Sequence, residues 1–240
     1  MSVPQISEGS LLTAAAKAPR IDIKTIAPEG TVLIVNPHPD DETFGCGLAM
    51  AAAALEGRTI AIALLTDGEG SHPSTKTFAP NELAELRYSE FVRALEILVP
   101  SRRVDVLRLH LPDGKSRYEA SLAEEVLPFA RSHGASVIWS TWRDDPHCDH
   151  ETAAALGRDL ANDLAIPHWS FAVWGRFGER YVPSCLCTFD APVLASRKRE
   201  AIAVYRSQID PHMIDDSNGF TMPPALVDHF AEHPEIFVRG

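Results

Sequence analysis

The residues in this chain that could do chemistry are concentrated in two short runs far apart, Pro37-His38-Pro39-Asp40-Asp41-Glu42 and His147-Cys148-Asp149-His150. The first follows the apolar stretch Val32-Leu33-Ile34-Val35. A buried strand that ends in a histidine and carboxylates gathers costly polar groups at one point, because unpaired buried charge costs several kcal/mol unless a partner neutralises it. A metal ion is the simplest such partner. His38 and Asp41 are three residues apart, and a helical turn opened by Pro39 puts both on one face. A third ligand from His147 or His150 completes an N, N, O set that leaves a position for water, as catalytic zinc sites require. Imidazole with one carboxylate suits zinc and other late divalent ions better than calcium or magnesium. Asp40 is then left to take a proton from water whose pKa the metal lowers to around 7. The remaining histidine can donate to an oxyanion forming on a substrate carbonyl. These parts describe metal-assisted hydrolysis.

The elements that must position the two runs alternate along the chain. Val32 to Val35 is a continuous apolar run bounded by turn residues, as in a parallel strand covered on both faces. Thr43 to Glu56 is alanine-rich and stops at Gly57, which predicts a helix. Strands are predicted over Thr59 to Leu65, Val104 to Leu109, Ser136 to Thr141, Trp169 to Trp174 and Ser184 to Phe189. Helices are predicted over Asn81 to Leu98, Leu122 to His133, Glu151 to Leu164 and Ala191 to Ser207. The alternation implies βαβ units, and so a three-layer Rossmann-like α/β fold with a mostly parallel sheet and helices on both faces. Ligands of such sheets sit outside the carboxyl ends of the strands. Both acidic-histidine runs follow strands, as do Thr66-Asp67-Gly68-Glu69 and Leu111-Pro112-Asp113-Gly114, so all four belong to one rim. Residues 1–30 read as an irregular N-terminal extension ending in the turn signal Ala27-Pro28-Glu29-Gly30, and residues 31–240 as a single domain.

A length of 240 residues suits one large domain. The formal net charge of -11 repels a nucleic-acid backbone or an anionic membrane over most of the surface, so no nucleic-acid partner is expected. No run approaches the roughly 20 apolar residues that span a bilayer, and Ser10 to Ala18 is too short and polar for a signal core. Cys46, Cys148, Cys185 and Cys187 form no disulfide framework, and a reducing, cytoplasmic setting is the expectation.

The paired runs resemble the signature of the PIG-L or LmbE-like family of zinc-dependent de-N-acetylases, over a stretch from about Thr31 to His150 and, more weakly, to the helix around Tyr205. The resemblance implies His38, Asp41 and His150 as zinc ligands, with another divalent transition metal such as Fe2+ compatible with the same set. It implies Asp40 as general base, His147 as the group that polarises the amide carbonyl, and Asp149 as the residue that orients the His147 imidazole. Arg87 and Asp113 match positions that grip sugar hydroxyls in family members. The implied activity is removal of acetyl from a small N-acetylated amino sugar or glycoconjugate; a homo-oligomer is compatible with it. The same scaffold would serve an amidase on thiol conjugates or a hydratase, and a metal-retaining binding protein is the alternative from another class. The chain departs from the family pattern at Leu48, where a glycine is usual, and at Cys148, where proline is common and a thiol adds a candidate ligand.

Plainer readings accompany several of these residues. Arg87 and Glu90 are spaced for an ion pair on a helix surface, Asp149 for a helix cap, and Asp113 for a turn. The basic run of Arg197, Lys198, Arg199 and Arg206 reads as a solvated helix face.

Overall fold

The computed structural model describes residues 9–100 and 102–240. Strand β1 (Thr31–Asn36) is buried along its whole length, as its unbroken apolar run requires. It pairs in parallel with β2 (Thr59–Thr66) on one side and β4 (Ala135–Thr141) on the other, with Val35 opposite Ala63 and Ser140. Strand β3 (Asp105–Leu111) lies outside β2, and β5 (His168–Phe171) outside β4, both parallel. Two antiparallel strands, β6 (Leu186–Phe189) and β7 (Glu235–Arg239), complete a seven-stranded sheet of order β3-β2-β1-β4-β5-β7-β6.

Alternate residues of β1 feed two separate cores. Val32 and Ile34 pack with residues of α3 (Asp41–Leu55), α4 (Pro80–Leu98) and α7 (Ala195–Val204). Leu33 and Val35 pack on the other face with α5 (Ala120–Ser132) and α6 (Cys148–Leu164). These four side chains are fully buried, each stabilising the fold by about 1.5–3 kcal/mol. The three-layer, mostly parallel α/β fold read from the sequence is the fold observed. The sheet order reverses between β1 and β4, and at such a switch point the carboxyl ends of neighbouring strands part to leave a crevice.

The sequence reading differs from the structure in the flanking segments. Two short helices, α1 (Ser10–Ala15) and α2 (Ile23–Ile26), occupy the stretch read as irregular, with Leu11 and Ile26 fully buried, while residues 1–8 lie outside the described region. The helix expected over Ala191 to Ser207 is broken at Tyr205, which separates α7 from α8 (Arg206–Ile209). Helix α9 (Pro224–Glu232) and β7 lie in the tail after Ser207, where the sequence reading places no element. Lys198 is fully buried rather than solvated.

Candidate active site

The chain leaves β1 at Asn36, turns across the sheet edge, and enters α3 at Asp41; from β4 it crosses the crevice and enters α6 at Cys148. Asp41 Oδ2 lies 2.9 Å from His38 Nδ1 and 3.2 Å from His150 Nε2. On its far nitrogen each imidazole meets a carboxylate: His38 Nε2 is 3.0 Å from Asp149 Oδ2, and His150 Nδ1 is 2.9 Å from Asp145 Oδ2. Carboxylates so placed fix the ring and aim the other nitrogen inward, as around histidine metal ligands. His150 Nε2 is buried and makes no hydrogen bond, since its contact with Asp41 lacks hydrogen-bond geometry. An orphaned buried nitrogen is costly, and a cation among His38 Nδ1, Asp41 Oδ2 and His150 Nε2 removes that cost.

The electrostatics agree. Burial disfavours a charged His38, yet Asp113, Asp149 and Asp41 outweigh it and hold the imidazole well above its ordinary pKa. Burial likewise opposes charge on His150, but Asp41 and Asp145 push it up to about 9. Burial would raise Asp41; His150 and His38 instead hold it well below the carboxylate range. The pocket is built around positive charge. Two histidines and a carboxylate, His38, His150 and Asp41, are thus arranged to hold a metal, and ligand atoms of His38, His147 and His150, and of His38, Asp113 and Asp149, also lie within 4.8 Å of one another.

Asp40 stands beside this arrangement, with its Oδ2 accepting from Arg87 Nη2 at 3.0 Å. Burial raises its carboxyl to about 6 against the opposing pull of Arg87. Arg87, only 3% exposed, also donates to the Gly68 carbonyl at 2.8 Å. Gly68 has φ +73°, and a Cβ there would sit 2.0 Å from Arg87 Nη1, so glycine is required twice over. The surface pair of Arg87 with Glu90 does not form: Glu90 is buried and accepts from the Ser207 backbone and hydroxyl, tying α4 to α8.

His147 is the N-cap of α6, its Nδ1 accepting the Asp149 backbone N–H at 3.2 Å. A backbone N–H can only donate, so the proton of a neutral His147 sits on Nε2. Burial, with His38 and His150 adding repulsion, lowers its pKa to about 4 and keeps it neutral. The orientation implied for Asp149 thus comes from its backbone. Its carboxylate lies 3.8 Å from His147 Nδ1 and instead serves His38 and accepts from Gly114 N–H, Ser116 N–H and the Ser116 hydroxyl. It is therefore not the cap of α6. Asp113 approaches His38 Nε2 at 3.2 Å and accepts from Gly70 N–H at 2.8 Å. Cys148 is exposed, and partial desolvation of its thiol with Asp149 alongside raises the pKa, disfavouring the thiolate that binds metal.

These groups open on a cavity of about 560 Å3 lined by both polar and apolar side chains. Its polar lining includes His38, Asp40, Arg87, Asp113 and His147, and its apolar lining Phe44, Pro73, Trp174, Phe220 and Met222. Trp174 and Phe220 meet edge to face with centroids 5.7 Å apart. Asp215 and Asp216 latch together the segments that bring Pro73 and Phe220 to this apolar lining, accepting from the Ser74, Lys76 and Thr77 amides and the Thr75 hydroxyl.

Sequence reasoning missed two supports. Asp145 is fully buried and, besides holding His150, accepts from the amides of Val173, Trp174 and Gly175. Its signal was available, since each histidine ligand needs a carboxylate or carbonyl behind it and Asp145 stands two residues before His147. Glu42 lies beneath the site and accepts from Asn36, Thr43 and Tyr205; burial raises its carboxyl to about 7. Its partner Tyr205 gave no local signal.

Fold and site define an α/β protein with a histidine-carboxylate metal arrangement at the switch point of its sheet. The family pattern of PIG-L, the GlcNAc-PI de-N-acetylases, matches residues 33–161, more than half the chain, and the chain belongs to that family. It is 26% identical over 144 residues to a diacetylchitobiose deacetylase of Thermococcus kodakarensis, covering 58% of this chain and 52% of that one. To a 1D-myo-inositol 2-acetamido-2-deoxy-alpha-D-glucopyranoside deacetylase of Saccharopolyspora erythraea it is 33% identical over 94 residues, 37% of this chain and 32% of the relative. The matched segments thus span about half of the first relative's length and a third of the second's. Among solved structures, the N,N'-diacetylchitobiose deacetylase of Pyrococcus horikoshii superposes with TM-score 0.68 at 17% identity, over 92% of this chain and 87% of that chain. The 4-carboxy-2-hydroxymuconate hydratase of Pseudomonas putida does so with TM-score 0.64 at 18% identity, over 84% and 82%. At such identities the likeness is one of fold. No helix among the described residues is long and apolar enough to cross a membrane.

Proposed function

We propose that this protein is a zinc-dependent hydrolase that removes the acetyl group from an N-acetylated amino sugar or its glycoside, with His38, Asp41 and His150 as the ligands. The observation that carries the reading is that Asp40 and a neutral His147 line the same cavity as His38 and Asp41, beside His150. Zinc bound there supplies Lewis acidity and a water acidic enough to attack at neutral pH. Asp40 takes the proton from the attacking water and returns it to the departing amine, a role suited to a carboxyl raised to about 6. His147 donates from Nε2 to the oxygen of the tetrahedral intermediate. Arg87 holds Asp40 in place, and Asp113 faces the sugar hydroxyls. The apolar lining with Trp174 and Phe220 receives what the sugar is attached to. The names of the two sequence relatives, deacetylases of diacetylchitobiose and of an acetamido-deoxy-glucopyranoside, support the substrate class.

The test is an acetate-release assay with the zinc-loaded protein on N-acetylglucosamine in free, phosphorylated, nucleotide-linked and glycosidic forms. Asp40→Asn and His147→Ala should each lower turnover by about 10²-fold or more. Unchanged turnover in both would sink the mechanism. Conversion of a substrate without acetate release would favour the hydratase, and stoichiometric zinc with no turnover a binding protein.

A further inference from the structure

Beneath the metal-binding turn, helix α3 is broken at one rung. Cys46 has φ −141° and ψ 21°, outside the helical region, so a short first segment carrying Asp41 is set at an angle to the rest. In a continuous helix the Leu48 N–H would donate to the Phe44 carbonyl, the i to i−4 bond. Here that bond is replaced by a buried ion pair. The Phe44 carbonyl accepts from Lys198 Nζ at 2.9 Å, Lys198 Nζ meets Glu235 Oε1 at 2.7 Å, and Glu235 Oε1 accepts from Leu48 N–H at 2.6 Å. Glu235 Oε2 also accepts from Ala49 N–H at 2.9 Å. Both charged side chains are fully buried. The polarity is matched throughout: the cation faces the open carbonyl end of the first segment and the anion faces the open amide end of the second. Gly45, at the break, packs so closely on Phe171 that a Cβ would lie 2.3 Å from its ring.

A buried ion pair is poor evidence of stabilisation, since apolar replacements of similar volume often do as well or better. This pair has another use. It keeps the rung open, and the direction of the first segment decides where Asp41 points relative to His38 and His150, and where Asp40 stands. We infer that Lys198 and Glu235 are positioning residues of the metal site, spliced into α3 so that its first turn meets the second motif. They touch neither substrate nor the proposed ligands. With both removed, Leu48 N–H and Phe44 C=O are free to bond to each other, and the segment swings Asp41 away.

The inference rests on the reading of Asp41 as a metal ligand, and the test separates the two. Apo protein of the parent, Asp41→Ala and the paired apolar variant Lys198→Met/Glu235→Leu is titrated with zinc against a chromophoric chelator, and each thermal midpoint is measured. The paired variant should fold with a midpoint close to the parent's, yet bind zinc at least about tenfold more weakly, the effect of removing a support behind a ligand, with kcat lowered more than KM is raised. A folded paired variant with parental zinc affinity and kcat overturns the inference. Unchanged zinc affinity in Asp41→Ala overturns the ligand reading instead. Should the paired variant not fold, Glu235→Gln, which keeps one acceptor oxygen and the side-chain shape, decides: threefold or greater weakening of zinc binding by its folded fraction supports positioning, and parental affinity overturns it.

Discussion

The two strand ends that supply the site are supported in opposite ways. The loop after β4 is largely self-sufficient: Asp145 holds His150 five residues on and gathers the amides of Val173, Trp174 and Gly175 about thirty residues on. The turn after β1 depends on distant chain. Glu42 is held by Tyr205, 163 residues away, and the broken rung of α3 by Glu235, 187 residues from Leu48. One strand end carries its own bracing, while the other presents its ligands on a mount delivered by the opposite end of the sequence. The same metal arrangement can thus fail locally on one side and remotely on the other.

That contrast can be broken most forcibly at Asp145. Asp145→Ala should leave the Val173, Trp174 and Gly175 amides without their acceptor and lower stability by about 3 kcal/mol or more, and weaken zinc binding about 10- to 100-fold because His150 loses its orienting carboxylate; denaturant melts and zinc competition check both. If Asp145→Ala left zinc affinity intact, the β4 side would not be the self-braced one. Tyr205→Phe attacks the remote support and removes one bond to Glu42. It should cost about 1–3 kcal/mol, with a smaller loss of zinc affinity than at Asp145 because Asn36 and Thr43 still hold Glu42. The smallest effect belongs to Asp215→Ala, which loosens the exposed latch of the apolar lining. Stability should fall by about 1 kcal/mol or less, while KM for a glycoside rises and kcat stays near the parent's; a fall in kcat would mean that this lining and the metal turn are not separate.

The difference between the strand ends also explains what the sequence made legible. Both histidine runs lie at the ends of apolar strands, so local patterning was enough to bring them to one rim. The alternation of strands and helices from Thr31 to Phe171 depends on period and length alone and was readable within a residue or two at most boundaries. Lys198 was not readable, because nothing in a basic run says which member turns inward to a carboxylate contributed by β7. Arg87 and Glu90 had a helix-surface spacing that tertiary contacts overrode, each finding a partner on another segment. The strand Glu235–Arg239 is short and follows His233-Pro234, and its place between β5 and β6 depends on sheet pairing, which single-chain periodicity does not carry.

The insertion of β7 between β5 and β6 sets an order of events during folding. A chain emerging from a ribosome can form β1 to β5 and their helices from contacts already present, but the rung of α3 has its substitute bonds only after residue 235 has been made. Contacts at such separation close slowly, because loop entropy must be met before they reward the chain. Until then the Leu48 N–H and the Phe44 carbonyl lack the partners that hold the rung open. On the proposed ligand set, a metal ion met early in synthesis would find the histidines before this support is in place, and tight metal binding would mark a finished molecule.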